Sequence, residues 1–232
     1  MREVLRQEKK FLIDQPRFYR YSRDLARFMI SDPNNKVDGY PIRSLYFDSM
    51  EDRDYWEKED GVELRRKIRL CNYGPDTPFA LLEMKQKEGA MQKKRSVFLP
   101  REEAARLTRG DYTPLLSRPE PFARECYAVM HTMCYQPRAV VEYRRMAFIA
   151  KENKIRVTFD HHIVATEASF DIFDSDLQQY PVLDPSLVVL EVKFNGFLLS
   201  YIKDMLAECD SSQRSVSKYS LSRTVSNHYL FY

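Results

Sequence analysis

The sequence has few glycines and no long hydrophobic run. Only 6 of its 232 residues are glycine, and neither a GxGxxG nor a Walker A pattern occurs, which disfavours the common nucleotide-binding folds. No apolar stretch approaches the roughly 18 residues that a membrane-spanning helix needs. The first ten residues are charged throughout, which argues against a cleavable signal peptide. We therefore expect a protein without a membrane span, which could still dock on a membrane-protein partner.

Closely spaced cysteines and a histidine metal set are also missing. The cysteines lie far apart, with no CxxC pair, at Cys71, Cys126, Cys134 and Cys209. This spacing favours reduced, structural thiols and a cytoplasmic location. His161 and His162 are adjacent in a predicted strand, so we expect them to face opposite sides of it. No Ser/His/Asp nucleophile set is evident.

Neither sign of charge dominates. The chain has 37 basic and 34 acidic residues and a net charge of only +3, which argues against a nucleic-acid partner because such proteins present a strongly basic face. Hydrophobic residues make up 44% of the chain, enough for a sizeable core. With no repeat and no Gly/Ser-rich linker, residues 1–232 are predicted to form one domain. The positions of the charges therefore matter more than their sum.

Hydrophobic periodicity predicts about eight strands, which are mostly consecutive and hence antiparallel. The predicted strands are 5–13, 42–48, 62–72, 79–87, 92–99, 139–150, 154–164 and 187–194. The predicted helices are 16–30, 51–58, 101–108, 121–133, 198–209 and 217–225. The expected fold is α+β: a closed antiparallel β-barrel, or tunnel, of about eight strands with flanking helices.

Five predicted strands repeat one formula, a carboxylate with one or more cations on the same face. Residues at i, i+2 and i+4 of a strand share a face. The five faces are Arg6/Glu8/Lys10, Glu63/Arg65/Lys67/Arg69, Glu83/Lys85/Lys87, Lys154/Arg156/Thr158/Asp160 and Glu191/Lys193. Each could be the wet side of a half-buried sheet. However, cations gathered on one surface repel one another unless an anion lies among them, so the repetition predicts a site for a multi-phosphate anion.

The carboxylates among these cations suggest a divalent metal. Mg²⁺ and Mn²⁺ take carboxylate oxygens, and Mg²⁺ completes its shell with phosphates and water. Glu191, Glu8 and Glu83 are the candidate ligands. The alternative for each is a salt bridge with a neighbouring lysine or arginine.

A series of short motifs runs in order along the chain. They are Glu8-Lys9-Lys10-Phe11, Ser44-Leu45-Tyr46-Phe47-Asp48, Arg65-Arg66-Lys67-Ile68-Arg69, Glu83-Met84-Lys85-Gln86-Lys87, Lys93-Lys94-Arg95, Glu142-Tyr143-Arg144-Arg145-Met146-Ala147-Phe148, Ile155-Arg156-Val157-Thr158-Phe159-Asp160, Leu190-Glu191-Val192-Lys193 and Ser217-Lys218-Tyr219. No single motif is distinctive, but the ordered set resembles the polyphosphate polymerase (vacuolar transporter chaperone, VTC) domain of the triphosphate tunnel metalloenzyme superfamily. The resemblance covers nearly the whole chain.

The resemblance implies a tunnel that transfers the terminal phosphoryl group of ATP onto a growing polyphosphate chain with a divalent metal, Mn²⁺ or Mg²⁺. By analogy, the catalytic residues would be Lys10, Arg65, Lys67, Arg69, Lys85, Arg145 and Lys193. The resemblance also implies that Lys94 and Lys218 bind phosphate, that Tyr143 and Ser217 add hydrogen bonds, and that Glu191 binds the metal. From the charged faces, Lys87 and Arg156 are further candidates for phosphate binding, and Glu8 and Glu83 are further candidates for the metal. The family usually shows two basic residues where this chain has Arg65, Lys67 and Arg69.

One departure favours the polymerase branch. Triphosphatases and adenylate cyclases of the superfamily carry Glu-x-Glu-x-Lys near the N-terminus, whereas Arg6 replaces the first glutamate here. Two alternatives keep the fold: a hydrolase of tripolyphosphate or nucleoside triphosphates, and a non-catalytic polyphosphate sensor. A basic RNA-binding sheet would require exposed aromatics among the cations, but Tyr46, Phe159 and Phe194 fall on or near apolar faces.

Overall fold

The computed structural model describes residues 4–89, 91–209 and 216–224, with no side-chain description for residues 4–6. The strands in this part of the chain are β1 (Val4–Asp14), β2 (Ile30–Ser31), β3 (Tyr40–Asp48), β4 (Leu64–Asn72), β5 (Phe79–Glu88), β6 (Met91–Pro100), β7 (Gln136–Ile149), β8 (Arg156–Thr166), β9 (Tyr180–Pro181) and β10 (Leu187–Phe194). The helices are α1 (Gln15–Phe28), α2 (Arg53–Glu59), α3 (Arg101–Leu107), α4 (Pro121–Thr132), α5 (Ser200–Ala207) and α6 (Lys218–Ser222), with 3₁₀ turns at Thr113–Ser117 and Glu152–Lys154.

All ten of these strands pair antiparallel in one sheet. Their order is β2-β7-β3-β4-β5-β6-β1-β10-β8-β9, and β7 pairs in addition with β8. The consecutive strands β4, β5 and β6 are neighbours because short connections join antiparallel strands directly, whereas the connection from β3 to its neighbour β4 contains α2. The predicted α+β class, the antiparallel sheet and the flanking helices are confirmed. None of the helices in the described residues is long and apolar enough to cross a membrane.

The strand predictions fail mainly where elements are very short. β2 and β9 have two residues each, too few to show a hydrophobic period. α1 ends at Phe28, two residues before the predicted end, because Met29 is extended (φ −118°, ψ 158°) and the chain enters β2. The predicted last helix, 217–225, is observed as α6, and its final predicted residue lies outside the described residues.

The prediction that His161 and His162 face opposite sides is wrong. His162 has a left-handed backbone (φ 49°), and the β7–β8 register shifts nearby, between Glu142 and Arg144. This β-bulge brings the two Nδ1 atoms to 2.6 Å, because a bulge interrupts the alternation of side chains. Both rings line a cavity of about 500 Å³ beside α1.

Two apolar clusters fix which face of the sheet is covered by helices. α3 and α4 pack on the central strands through a cluster that includes Leu70, Leu82 and Phe122. α1 and α5 cover β1, β8 and β10 through a second cluster that includes Phe11 and Phe159. A slip of one residue would turn the charged side chains into these cores, so the apolar pattern enforces the register.

The opposite face, which we call the inner face, receives the alternating charged residues. Because successive side chains point to opposite sides, burying Leu70 and Leu82 turns Arg69 and Glu83 to the inner face. A third apolar cluster, including Tyr46, Tyr143 and Tyr219, packs α6 against part of this face. The inner face thus combines charged side chains with an apolar wall that holds α6.

Candidate functional site

Cations from distant strands converge on the segment that begins α6. β1 and β4 are separated by β5 and β6 in the sheet. Even so, the Lys10 Nζ donates to the carbonyl oxygen of Val216 at 3.3 Å, and the Lys67 Nζ donates to the Ser217 Oγ at 2.5 Å. The strong curvature of the sheet therefore brings its charged strands around one region.

The first group on the inner face is formed by β1 and β10. Glu8 is opposite Lys193, and Lys10 is opposite Glu191, in the β1–β10 ladder. The Lys10 Nζ lies 2.8 Å from the Glu8 Oε1. The Lys193 ammonium contacts Glu191 and lies 3.7 Å from the Glu8 Oε2. One ammonium is thus shared by two carboxylates.

Glu191 is ionised in this environment. It is only 4% exposed, and burial alone would raise its pKa. The positive charges of Lys193, Lys10 and Arg145 outweigh burial and hold the pKa of the carboxyl well below its usual range. Burial alone would lower the pKa of Lys10, but the negative charges of Glu191 and Glu8 raise it. Glu191 and Lys10 are therefore both charged near neutral pH.

The second group centres on Asp160 of β8, which the sequence placed on a charged face but not among the candidate site residues. Its buried carboxylate accepts from the Arg145 Nε at 2.6 Å and Nη2 at 2.8 Å. The Lys218 Nζ donates to it at 2.6 Å. Burial opposes ionisation, but Arg145 and Lys218 lower the pKa of Asp160 to about 2. Asp160 thus fixes the positions of two predicted site cations.

Tyr143 and Gly39 complete this second group. The Lys218 ammonium lies 4.6 Å from the centre of the Tyr143 ring, and the Arg145 guanidinium lies 5.3 Å from it, both within cation–π range. Gly39 has a left-handed backbone (φ 76°), and a Cβ there would lie 2.2 Å from the Arg145 carbonyl oxygen. A side chain at residue 39 would displace the strand that carries Arg145.

The third group joins β4, β5 and β6 around Glu83. Its Oε2 accepts from the Arg69 Nε at 2.8 Å and Nη2 at 2.6 Å, and its Oε1 contacts the Lys94 ammonium. Burial would raise the pKa of Glu83, but Arg69 and Lys94 lower it well below the usual value. Both oxygens of Glu83 already have cationic partners, so this residue acts as an ion-pair partner in the ligand-free chain.

Two further lysines lie among cations without a carboxylate at salt-bridge distance in the described part of the chain. Burial and the charges of Lys10 and Lys58 lower the pKa of Lys67 to about 7. Burial, together with Arg69 and Lys193, holds the pKa of Lys85 well below its usual value. Lys67 and Lys85 are directly opposite each other in the β4–β5 ladder. This pair is the least compensated positive charge on the inner face.

The remaining predicted cations lie towards the ends of the strands. Arg65 donates to the carbonyl oxygen of Val62 at 2.6 Å and is opposite Lys87. Arg156 is opposite Lys193, but its guanidinium donates to the Asp32 Oδ2 at 2.7 Å. The charge of Arg156 is therefore balanced locally, whereas Arg65 and Lys87 continue the charged row.

α6 is anchored by the buried carboxylate of Asp48, which was not among the site residues predicted from the sequence. The Tyr219 hydroxyl donates to the Asp48 Oδ2 at 2.7 Å, and its ring stacks on Tyr46 with centroids 5.1 Å apart. Asp48 also accepts from backbone N–H groups at the start of α2, those of Asp54 and Tyr55. Asp48 therefore positions the helix that brings Ser217 and Lys218 to the inner face.

The donor set around Lys193 fits a hard divalent cation. The described residues contain no group of three or more His, Cys, Asp or Glu placed to hold a metal by themselves. However, Glu8 and Glu191 converge on one ammonium, and Mg²⁺ is usually bound by one or two carboxylates plus phosphates and water. A metal that takes its other ligands from a bound anion fits these two residues.

Comparison with known proteins identifies the family. The family model of the VTC domain matches residues 5–227. The chain belongs to the VTC domain family. This confirms the resemblance seen in the sequence motifs. A search of the curated proteins found no match.

Solved structures share the fold of this VTC domain. A putative adenylate cyclase from Bacillus halodurans is 13% identical with a TM-score of 0.55, over 94% of this chain and 96% of that one. A putative adenylyl cyclase from Hippeastrum, described as having a dominant triphosphatase activity, is 11% identical with a TM-score of 0.51, over 95% of each chain. At these identities the similarity shows the fold alone.

Most of the residues predicted for the site come together in this VTC domain, and their roles remain predictions. The strand register and the contacts place the following on the inner face: Glu8, Lys10, Arg65, Lys67, Arg69, Glu83, Lys85, Lys87, Lys94, Tyr143, Arg145, Arg156, Glu191, Lys193 and Lys218. Ser217 caps α6 and contacts Lys67. Arg95, in the same motif as Lys94, points to the outer face and pairs with Glu125. Arg6 lies outside the described side chains.

Proposed function

We propose that this VTC domain is a polyphosphate polymerase that transfers the terminal phosphoryl group of ATP to a growing polyphosphate chain in a closed tunnel. The tunnel is supported by the pairing of β7 with both β3 and β8, which returns the series of neighbouring strands to its start. The observation that carries the proposal is the surplus of half-buried positive charge on the inner face.

Cations outnumber carboxylates by more than two to one in the three groups and the rows that extend them. The cations are Lys10, Arg65, Lys67, Arg69, Lys85, Lys87, Lys94, Arg145, Lys193 and Lys218, and the carboxylates are Glu8, Glu83, Asp160 and Glu191. We expect the partial burial of so many like charges to cost the empty domain stability. A polyanion threaded among them would supply the missing negative charge along its length.

Phosphoryl transfer mainly requires positioning and neutralisation of charge. A terminal oxygen of the polyphosphate chain would bond to the γ-phosphorus of ATP as the bond to the β–γ bridging oxygen breaks, giving ADP and a chain one phosphate longer. The attacking phosphate oxygen is already anionic, so no general base is required. Lys85 and Lys193 would hold the transferred group, and Lys67 would hold the acceptor.

A divalent metal, when bound, would neutralise further charge on the phosphates. Glu191 and Glu8 would hold it, because their oxygens converge where Lys193 now lies. Lys10 would keep Glu8 in place through the ion pair of 2.8 Å. Glu83 would instead orient Arg69 and Lys94, since both of its oxygens are already paired.

Hydrolysis of tripolyphosphate or of nucleoside triphosphates is the second candidate. It is favoured by the fold shared with the Hippeastrum protein, described as having a dominant triphosphatase activity. The two candidates differ in the acceptor, which is water in one and a phosphate chain in the other. Both use the same cations.

Incubation of the purified protein with ATP and Mn²⁺, with the products resolved on a gel, tests the proposal. We expect a ladder of long phosphate chains. Lys85→Ala should remove the ladder, because no carboxylate in the described residues lies at salt-bridge distance from this ammonium to compete with the phosphates. Lys203→Ala, at an exposed position of α5, is the matched control and should retain the ladder. Release of orthophosphate alone would identify a hydrolase, and tight polyphosphate binding without turnover would identify a sensor.

Polyphosphate binding should be accompanied by proton uptake at pH 8. Lys67, with a pKa of about 7 in the empty domain, is mostly neutral at that pH, and a bound anion raises the pKa of an amine. We expect uptake of up to about one proton at this residue, measured by calorimetry in two buffers of different ionisation enthalpy.

Lys67→Met should reduce this proton uptake, and Lys203→Met should leave it unchanged. If the heat of binding is independent of the buffer in the unmodified protein, Lys67 is already charged before the anion binds. That result would contradict the assignment of Lys67 as an uncompensated site residue.

A further inference from the structure

Four aromatic side chains form a continuous arc at one end of the inner face. The rings of Phe98 and Phe79 stack with centroids 5.0 Å apart. The ring centroids of Phe79 and Tyr73 lie 6.4 Å apart, and those of Tyr73 and Tyr40 lie 6.3 Å apart. We call these four residues the aromatic arc. Such centroid distances are those of interacting aromatic pairs.

The sheet register places the arc at a single end of the strands. Tyr40 begins β3, Tyr73 follows the last residue of β4, Phe79 begins β5, and Phe98 lies near the end of β6. Since Phe98 is four residues beyond Lys94 on an uninterrupted strand, both side chains share the inner face. The arc therefore borders the cationic surface.

Two rings of the arc, those of Phe98 and Tyr73, are exposed enough to meet a planar ligand. Phe98 is 49% exposed and Tyr73 is 45% exposed, although both lie on or beside a face lined by buried ion pairs. At the opposite end of β3, Tyr46 is covered by the ring of Tyr219 from α6. Tyr46 is thus covered and only 7% exposed, whereas Phe98, although one face of its ring stacks on Phe79, still presents much of its surface to solvent.

The arc and the cations are spaced for one molecule that has both a ring system and phosphates. Along β6, Phe98 and Lys94 are about 13 Å apart at the usual rise of a strand, and Lys94 is opposite Lys85. That distance is comparable to the separation of the base and the terminal phosphate in an extended nucleoside triphosphate. An inorganic phosphate chain would gain nothing from the arc, because the faces of aromatic rings carry partial negative charge.

We propose that the aromatic arc binds the nucleobase of the phosphoryl donor, with its triphosphate directed from Phe98 towards Lys94 and Lys85. This inference rests on the proposed function, because it names the donor as a nucleoside triphosphate rather than inorganic tripolyphosphate. Stacking on an aromatic face accepts every base. The arc therefore selects for the presence of a base, and ATP and GTP should bind about equally.

Calorimetric titration of ATP and of tripolyphosphate, each with Mg²⁺, tests this assignment. Phe98→Leu keeps an apolar side chain but removes the ring, and we expect it to weaken ATP binding about tenfold. Tripolyphosphate binding should change less than twofold. Phe98→Tyr should restore ATP binding, and Leu116→Ala, at another exposed apolar position, should leave both ligands unaffected. Because Phe98 is half exposed, these variants should fold.

Equal weakening of both ligands by Phe98→Leu, or no effect on either, would overturn the inference, as would failure of the unmodified protein to bind ATP. The outcome is separable from the proposed function. Binding of ATP that depends on the Phe98 ring, without phosphoryl transfer, would refute the polymerase and retain the base site. If Phe98→Leu leaves polyphosphate synthesis intact at every ATP concentration, the polymerase is supported and the base site is refuted.

Discussion

Glu191→Gln is expected to lower metal-dependent phosphoryl transfer by about a hundredfold or more. The substitution keeps the size of the side chain but removes the negative charge that Lys193, Lys10 and Arg145 stabilise. A neutral amide is a poor ligand for Mg²⁺ or Mn²⁺, which prefer carboxylate oxygens. The added net positive charge should at the same time leave the affinity for polyphosphate intact or increase it.

The two effects are measured separately. Turnover of ATP with Mn²⁺ gives the loss of activity, and titration of Mn²⁺ into the protein with bound tripolyphosphate gives the loss of metal affinity. Glu125→Gln, which removes the charge of an outer-face partner of Arg95, is the matched control and should retain activity. A thermal melt checks folding, and if Glu191→Gln does not fold, Glu8→Gln should lose both properties instead. Full activity in a folded Glu191→Gln protein would show that the metal does not depend on this carboxylate.

Asp160→Asn should destabilise the empty domain by about 3–5 kcal/mol, because it leaves Arg145 and Lys218 buried without their carboxylate. The side chain of Asp160 is fully buried, and those of Arg145 and Lys218 are 14% and 9% exposed. For a chain of this length each kcal/mol corresponds to about 2–4 °C in the melting temperature. We therefore expect a decrease on the order of 10 °C, measured by circular dichroism.

A bound polyanion should restore part of this loss. A ligand that binds only the folded state stabilises it by about 2.7 kcal/mol at a hundredfold excess over its Kd, and phosphates could take the place of the missing carboxylate. Tripolyphosphate should therefore raise the melting temperature of Asp160→Asn more than that of the unmodified protein. Asp24→Asn, which alters an exposed ion pair with Arg23, should change neither value. An Asp160→Asn protein of unchanged stability would show that Arg145 and Lys218 need no carboxylate partner.

The alternation of residue types made much of the fold and of the site predictable. Leu82 and Met84 alternate with Glu83 and Lys85 along β5, and only one register buries the first pair. That register also fixes which side chains a half-buried strand turns away from its core. Because the same charge formula appears on several strands, the sequence alone predicted the charged inner face.

Contacts between distant segments could not be predicted in this way. Asp160 lay on a predicted charged face, but nothing in the sequence showed that Arg145 and Lys218 would both reach it. The cluster that Phe98 and Tyr73 form could not be predicted because it depends on ring contacts between different strands. The paired histidines were misjudged because a bulge, which no periodicity announces, reverses the direction of one side chain.

The sequence by itself determined which side chains lie on the charged face of each strand, because the two-residue period of a strand is local. It also determined the family, because the order of the motifs is a property of the chain. Only the tertiary structure decided which charges compensate one another. Glu83 forms salt bridges with Arg69 and Lys94. Lys67 and Lys85, by contrast, have no carboxylate at salt-bridge distance within the described residues. The attraction between two charges weakens as the distance between them grows. Which charges pair therefore depends on how the sheet curves and not on their spacing along the chain.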